Sequence, residues 1–156
     1  MPQVFLGIGS NIDQERHLRA AVRALATRFG SLRLSPVYAS AAVGFEGAEF
    51  LNMVVALEST EPPQGLAAIL KGIEREQGGE SRPLDIDFLL YDDLVLETPT
   101  LTLPRDDIRR YAFVLRPLAE LAPGERHPLT GERYADLWAA FPAHTQPLRQ
   151  VEIELL

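Results

Sequence analysis

The chain has 156 residues, 46% hydrophobic content and no cysteine. These values suit a single compact domain over residues 1–156 and exclude disulfides, thiol catalysis and cysteine-rich zinc sites. A formal net charge of −7 without a long basic run excludes a general nucleic-acid or anionic-membrane binder, whose affinity rests on clustered Lys and Arg, although it leaves room for a local cationic pocket.

Gln3 to Ile8, QVFLGI, is a short apolar run ending at Gly9-Ser10-Asn11 and predicts a buried strand followed by a turn. VFLGIGS is too short for an export segment and no run approaches a membrane span, so the expected location is the cytoplasm. Asn11 and Asp13 are helix-starting residues. Leu18, Ala21, Val22, Leu25, Ala26 and Phe29 then recur at helical spacing until Gly30 closes the pattern. Leu32 to Tyr38 alternates around a proline and predicts an edge strand. Ala39 to Glu49 predicts a loop, Phe50 to Ser59 a strand, and Pro62-Pro63 the start of a second helix with Leu66, Ile69, Leu70 and Ile73 on its apolar face. Gly78-Gly79 stops that helix, and SRPLDIDFLLYDD follows as a strand whose apolar run places it centrally in a sheet. Downstream, LVLETPTLTLP is expected to be extended, Tyr111 to Leu121 partly helical, and Tyr134 to Phe141 a short helix with Leu137, Trp138 and Phe141 in the core. RQVEIELL adds a last strand. Strands joined through helices twice over predict an α+β fold, a ferredoxin-like α/β sandwich with a mainly antiparallel sheet.

Three constellations carry chemistry. Asp85 and Asp87 share one face of their strand, because side chains alternate, while Ile86, Phe88 and Leu90 share the other. Neighbouring carboxylates repel unless a cation lies between them, and oxygen ligands at this spacing suit Mg²⁺, with Arg82 placed to clamp a phosphate oxygen. The alternative is a solvated pair at a strand end. Asn52 is the only polar residue between Phe50 and Leu57, with Phe50 on its face of the strand. Either local groups satisfy it, or it reads a planar heterocycle on which Phe50 stacks. GIGSN, Gly7 to Asn11, lacks the third glycine of a dinucleotide fingerprint and the lysine of a P-loop, so it reads as a tight turn. His17, His127 and His144 have no ligand-like spacing, and the arginines of LPRDDIRRYAFVLRPL form either a solvated face or a polyphosphate cluster.

Taken in order, IGSN, Y-x-S, FLN, R-P-L-D-I-D-F-L-L, LTLPR and RYAFVLRPLAELAP resemble the 6-hydroxymethyl-7,8-dihydropterin pyrophosphokinases of folate biosynthesis, from about Val4 to Pro123. The resemblance implies a ferredoxin-like fold and transfer of pyrophosphate from ATP to the pterin's hydroxymethyl oxygen, releasing AMP. Arg82, Asp85 and Asp87 would form the catalytic set, with two Mg²⁺ ions on the two aspartates. The pterin would meet Ser40, Ala42, Val43, Phe50, Asn52 and Phe113, and ATP would meet Arg82, Phe88, Thr102, Arg105, Arg109 and Arg110. Partners are then small molecules only, with neither nucleic acid nor membrane, and the chain is expected to act as a monomer. Only Gly78-Gly79-Glu80-Ser81 separates Gln77 from Arg82, where the family usually carries a longer closing loop with arginines and a tryptophan. That departure keeps a second expectation open, a pterin-binding homologue with weak or altered transfer. A metal-dependent phosphodiesterase using the same carboxylates is the third.

Overall fold

A computed structural model describes residues 1–41, 48–78 and 83–155. The elements in chain order are β1 (Gln3–Ser10), α1 (Gln14–Phe29), β2 (Arg33–Leu34), β3 (Val37–Ser40), β4 (Phe50–Glu58), α2 (Pro63–Glu76), β5 (Asp85–Tyr91), β6 (Leu96–Glu97), β7 (Thr102–Leu103), α3 (Asp107–Arg110), α4 (Ala112–Leu121), α5 (Tyr134–Ala140) and β8 (Arg149–Val151). The main sheet has the order β5-β1-β4-β3-β8, with β2 also paired to β4, and each of these pairings is antiparallel. β1, α1, β3, β4, α2 and β5 thus form the βαββαβ arrangement of a ferredoxin-like sandwich. β6 and β7 form a separate hairpin.

Alternation along β4 divides the interior in two. Leu51, Met53, Val55 and Leu57 enter a core with Leu18, Val22 and Leu25 of α1 and Leu66, Leu70 and Ile73 of α2. Val54 and Ala56 face the opposite core, built on Val114, Leu115 and Leu118 of α4 with Leu137 and Trp138 of α5 packed against it. The helical spacing read in α1 is therefore the stripe it buries. Each fully buried leucine or valine there contributes about 1.5–3 kcal/mol through removal from water.

Several local features differ from the sequence expectations. β1 continues through Gly9 and Ser10, because Gly9 pairs with both Asn52 and Asp85 and Ser10 pairs with Leu51. Asp13 stands at the α1 N-cap position in a left-handed conformation (φ 44°) and makes no side-chain cap; its carboxylate pairs with Arg16 at 3.1 Å. The Leu32–Tyr38 segment is broken at Ser35-Pro36. Pro36 has no N–H for a ladder, and Ser35 alone engages both backbone groups of Val54: its N–H donates to the Val54 carbonyl at 3.0 Å and its hydroxyl accepts the Val54 N–H at 2.8 Å. β3 is not an edge, since β8 pairs along its outer side.

β5, conversely, is an edge strand rather than a central one. Its apolar run reflects cover on both faces, Ile86 and Phe88 in the first core and Leu89 and Leu90 in the second. Leu90 does not share a face with Ile86 and Phe88. The register with β1 steps from Leu6↔Phe88 to Phe5↔Leu90, so Leu89 is the extra residue of a β-bulge and Leu90 turns to the aspartate side. The Leu89 carbonyl accepts the Arg105 N–H at 3.0 Å, which docks the segment after β7 beside β5.

Candidate functional site

The register across the sheet sets the site. Asp85 on β5 lies opposite Gly9 on β1, which lies opposite Asn52 on β4, which lies opposite Tyr38 on β3. One step along, Asp87, Gly7 and Val54 form the parallel row. The two glycines of GIGSN are thus strand residues between the aspartates and β4, and their missing side chains leave a hollow over the β1 backbone. A Cβ on Gly9 would lie 2.7 Å from Asn52 Oδ1, closer than packing allows, whereas a Cβ on Gly7 would meet its nearest neighbour, Leu89, at 3.5 Å.

That hollow is a cavity of about 170 Å³ lined by Gly7, Gly9, Ser40, Phe50, Asn52, Asp85, Asp87, Asp107 and Phe113 among others. Asn52, 6% exposed, donates from Nδ2 to Ser40 Oγ at 2.8 Å, so its amide is held in one orientation across β3 and β4. Phe50 sits two residues before it on the same strand. Phe113 comes from the first turn of α4 and stacks on Tyr111, with ring centroids 5.0 Å apart. Gln146 fixes that turn, accepting the Ala112 N–H at 2.9 Å and donating to the Arg110 carbonyl at 3.0 Å. Tyr38 ties β3 to α4: its hydroxyl donates to the Glu120 carboxylate while the Arg116 guanidinium lies 4.6 Å from the ring centre. Burial and Glu120 together push the Tyr38 hydroxyl up to about 12.

A second cavity, about 560 Å³, opens on the outer side of β5 and is lined by α2 (Lys71, Glu74, Arg75), β5 (Asp85, Asp87, Phe88) and the segment from Thr100 to Arg105. Glu74 accepts the Ile86 N–H at 2.8 Å, using the free edge of β5 to hold α2 against it. Arg105 Nη2 lies 3.6 Å from Asp87 and its Nε 3.3 Å from Asp107. Asp85 and Asp87 line both cavities. Burial raises the Asp87 carboxyl above the usual carboxylate range; Arg105 opposes this, Asp85 and Asp107 reinforce it, and Lys71 opposes it. A divalent cation relieves such a pair. Among the described residues no group of three or more His, Cys, Asp or Glu converges as a metal cage. The donor set therefore fits an ion that takes two carboxylates and completes its shell with water and phosphate oxygens.

Of the expected site residues, Ser40, Phe50, Asn52 and Phe113 line the first cavity, Phe88 and Arg105 line the second, and Asp85 and Asp87 form their common wall. Thr102, Arg109 and Arg110 are exposed and line neither. Arg82, Ala42 and Val43 lie outside the described residues. Lys71, Glu74, Arg75 and Asp107 were not anticipated. The α2 charges fall on one helical stripe, which was the available signal, but such charges ordinarily mark a solvated face.

Comparison with known proteins agrees with this architecture. Residues 5–123 match the family model for 7,8-dihydro-6-hydroxymethylpterin-pyrophosphokinase. The chain is 37% identical to the 2-amino-4-hydroxy-6-hydroxymethyldihydropteridine pyrophosphokinase of Pseudomonas aeruginosa, over 90% of this chain and 92% of that one. It is 35% identical to the protein of the same name from Aquifex aeolicus, over 83% and 86%. In fold it is similar to the solved Plasmodium falciparum HPPK-DHPS with pteroate, at a TM-score of 0.76 and 12% identity, covering 88% of this chain and 42% of the Plasmodium chain. The chain belongs to the 7,8-dihydro-6-hydroxymethylpterin-pyrophosphokinase family and is a transferase.

Proposed function

We propose that this protein transfers the pyrophosphoryl group of ATP to the hydroxymethyl oxygen of 6-hydroxymethyl-7,8-dihydropterin, with AMP leaving, in a Mg²⁺-dependent reaction of folate biosynthesis. The observation that carries the reading is the position of Asp85 and Asp87 in the wall between two cavities of different chemistry. The pterin ring occupies the first, over the Gly7–Gly9 backbone, with Asn52 and Ser40 at its polar edge and Phe50 and Phe113 against its faces. The polyphosphate of ATP occupies the second, against Arg105, with Phe88 at its apolar side. The hydroxymethyl group and the β-phosphorus then meet beside the two aspartates.

Asp85 and Asp87 would hold two Mg²⁺ ions. Bound there, Mg²⁺ supplies charge neutralisation at the phosphates and acidity to the attacking hydroxyl. The protein's own work is positioning: strand register orients the pterin, Arg105 orients phosphate oxygens, and the cores keep both walls rigid. No protein nucleophile is required. No described helix is long and apolar enough to cross a membrane, and the proposal extends to a cytoplasmic enzyme active as a monomer. AMP formation from Mg-ATP and the pterin tests the reading directly. We expect it in the wild type and its loss in Asp85→Asn and Asp87→Asn; a folded wild type that binds both substrates and forms no AMP contradicts it.

A further inference from the structure

Among the 15 Lys and Arg residues of the chain, Lys71 is the only lysine, and it lies in the wall of the second cavity. Leu70, Lys71, Glu74 and Arg75 follow one another along the α2 stripe that lines that wall. Glu74 is committed to the Ile86 N–H, between Asp85 and Asp87, and this contact fixes how α2 sits on β5. Lys71 is one turn before Glu74 on the same stripe, and its charge acts on the Asp87 carboxyl. Arg105, the other cation on that carboxyl, is shared between Asp87 and Asp107. Lys71 is exposed and forms no ion pair among the described residues, which leaves its ammonium available to a ligand.

A polyphosphate drawn to the two aspartates through a shared cation adds negative charge beside buried carboxylates. That arrangement is favourable only where further cations face the phosphate oxygens. A lysine on a flexible stem supplies a mobile point charge with three donors, suited to a phosphate chain. Among the described residues, the cations in the wall of the second cavity are Arg105 and, on α2, Lys71 and Arg75. We propose that Lys71 is an ATP-binding residue of this chain, its ammonium hydrogen-bonding to the polyphosphate from the α2 wall of the second cavity. The inference rests on the nucleotide assignment above.

Two measurements test it. In the first, Mg-ATP is titrated calorimetrically into wild type, Lys71→Gln and Lys71→Arg. In the second, the wild type is acylated with an amine-selective succinimidyl ester, with and without Mg-ATP, and read by mass spectrometry. Loss of a charged hydrogen bond predicts about ten- to hundredfold weaker Mg-ATP binding in Lys71→Gln, with most of it recovered in Lys71→Arg. Because Lys71 is exposed, thermal midpoints without nucleotide should match the wild type. Mg-ATP should slow acylation at Lys71 and leave the α-amino group of Met1, a residue 75% exposed, unprotected as an internal reference. Equal Mg-ATP affinity in wild type and Lys71→Gln, or acylation of Lys71 unaffected by bound Mg-ATP, overturns the proposal while leaving the nucleotide assignment standing. A folded wild type that binds no Mg-ATP overturns both.

Discussion

The two cavities that meet at Asp85 and Asp87 are built by different means. The first is made by strand register: two glycines in β1, an asparagine in β4 and a serine in β3 stand in fixed rows, tied by hydrogen bonds and covered by α4. The second is made by the side of α2, with Lys71 and Arg75 exposed and Glu74 half-buried on the Ile86 N–H, and by the segment up to Arg105, laid against the outer edge of β5. A floor of backbone selects shape, because a single added methyl changes it. A wall of flexible cations selects charge, because its groups move to meet a ligand. The pairing suits a rigid heterocycle on one side and a polyphosphate on the other.

Substitution at the shared wall should have the largest effect and erase the distinction. Asp87→Asn removes a ligand needed from both sides, and we expect transfer to fall on the order of 10³-fold or more, read as initial rate of AMP formation. A variant retaining near-normal turnover would separate the carboxylate from the reaction. Asn52→Leu should act on the first cavity alone. It strips the buried amide from the pterin edge and should weaken pterin binding about 10–100-fold, measured with a non-hydrolysable Mg-ATP analogue present, while binding of the analogue itself is unchanged. Equal losses for both ligands would merge the two cavities into one site.

The glycines sharpen the argument further. Gly9→Ala places Cβ 2.7 Å from Asn52 Oδ1, and overpacking of this kind should cost about 1–3 kcal/mol of stability in denaturant titration as well as pterin affinity. Gly7→Ala has only ordinary contacts, the nearest at 3.5 Å. It should leave stability close to wild type yet still hinder the pterin. If both substitutions prove equally destabilising, the glycines serve packing rather than the cavity floor.

The smallest effect is expected at Tyr38, which links the strand carrying Ser40 to the helix carrying Phe113. Its hydroxyl stays protonated to about pH 12 in the fold, above the ordinary tyrosine value near 10. The unfolded chain therefore loses this proton first as pH rises. The stability the proton contributes is complete below about pH 10 and lost on approaching pH 12. Tyr38→Phe should cost about 1 kcal/mol near neutrality and should show a shallower loss of stability than the wild type across that alkaline window, measured by thermal denaturation.

Legibility in the sequence followed the same division. The strand-built half could be read in advance: the apolar run QVFLGI, the alternation of FLNMVVALE and the D-x-D spacing all depend on period-two geometry, which local sequence expresses directly. Even there, a bulge at Leu89 reversed the face of Leu90, and β5 proved to be an edge covered on both faces. These outcomes depend on pairing partners that local sequence does not display. GIGSN by itself reads as a turn because glycine marks turns; that Gly7 and Gly9 keep a hollow open is visible only once Asp87, Asp85 and Asn52 stand opposite them. The helix-built half was almost wholly hidden. Lys71, Glu74 and Arg75 look like any solvated helix face until α2 is docked on β5, and Asp107 gains meaning once the fold sets it in the lining of the first cavity and beside Arg105.

The most direct test of the central claim is a crystal structure of the wild type with a non-hydrolysable ATP analogue, Mg²⁺ and the hydroxymethylpterin. The account predicts the pterin over Gly7 and Gly9 beside Asn52, the polyphosphate on the α2 side against Lys71 and Arg105, and Mg²⁺ between them on Asp85 and Asp87. A nucleotide bound away from the outer face of β5, or metal without contact to either aspartate, would contradict it.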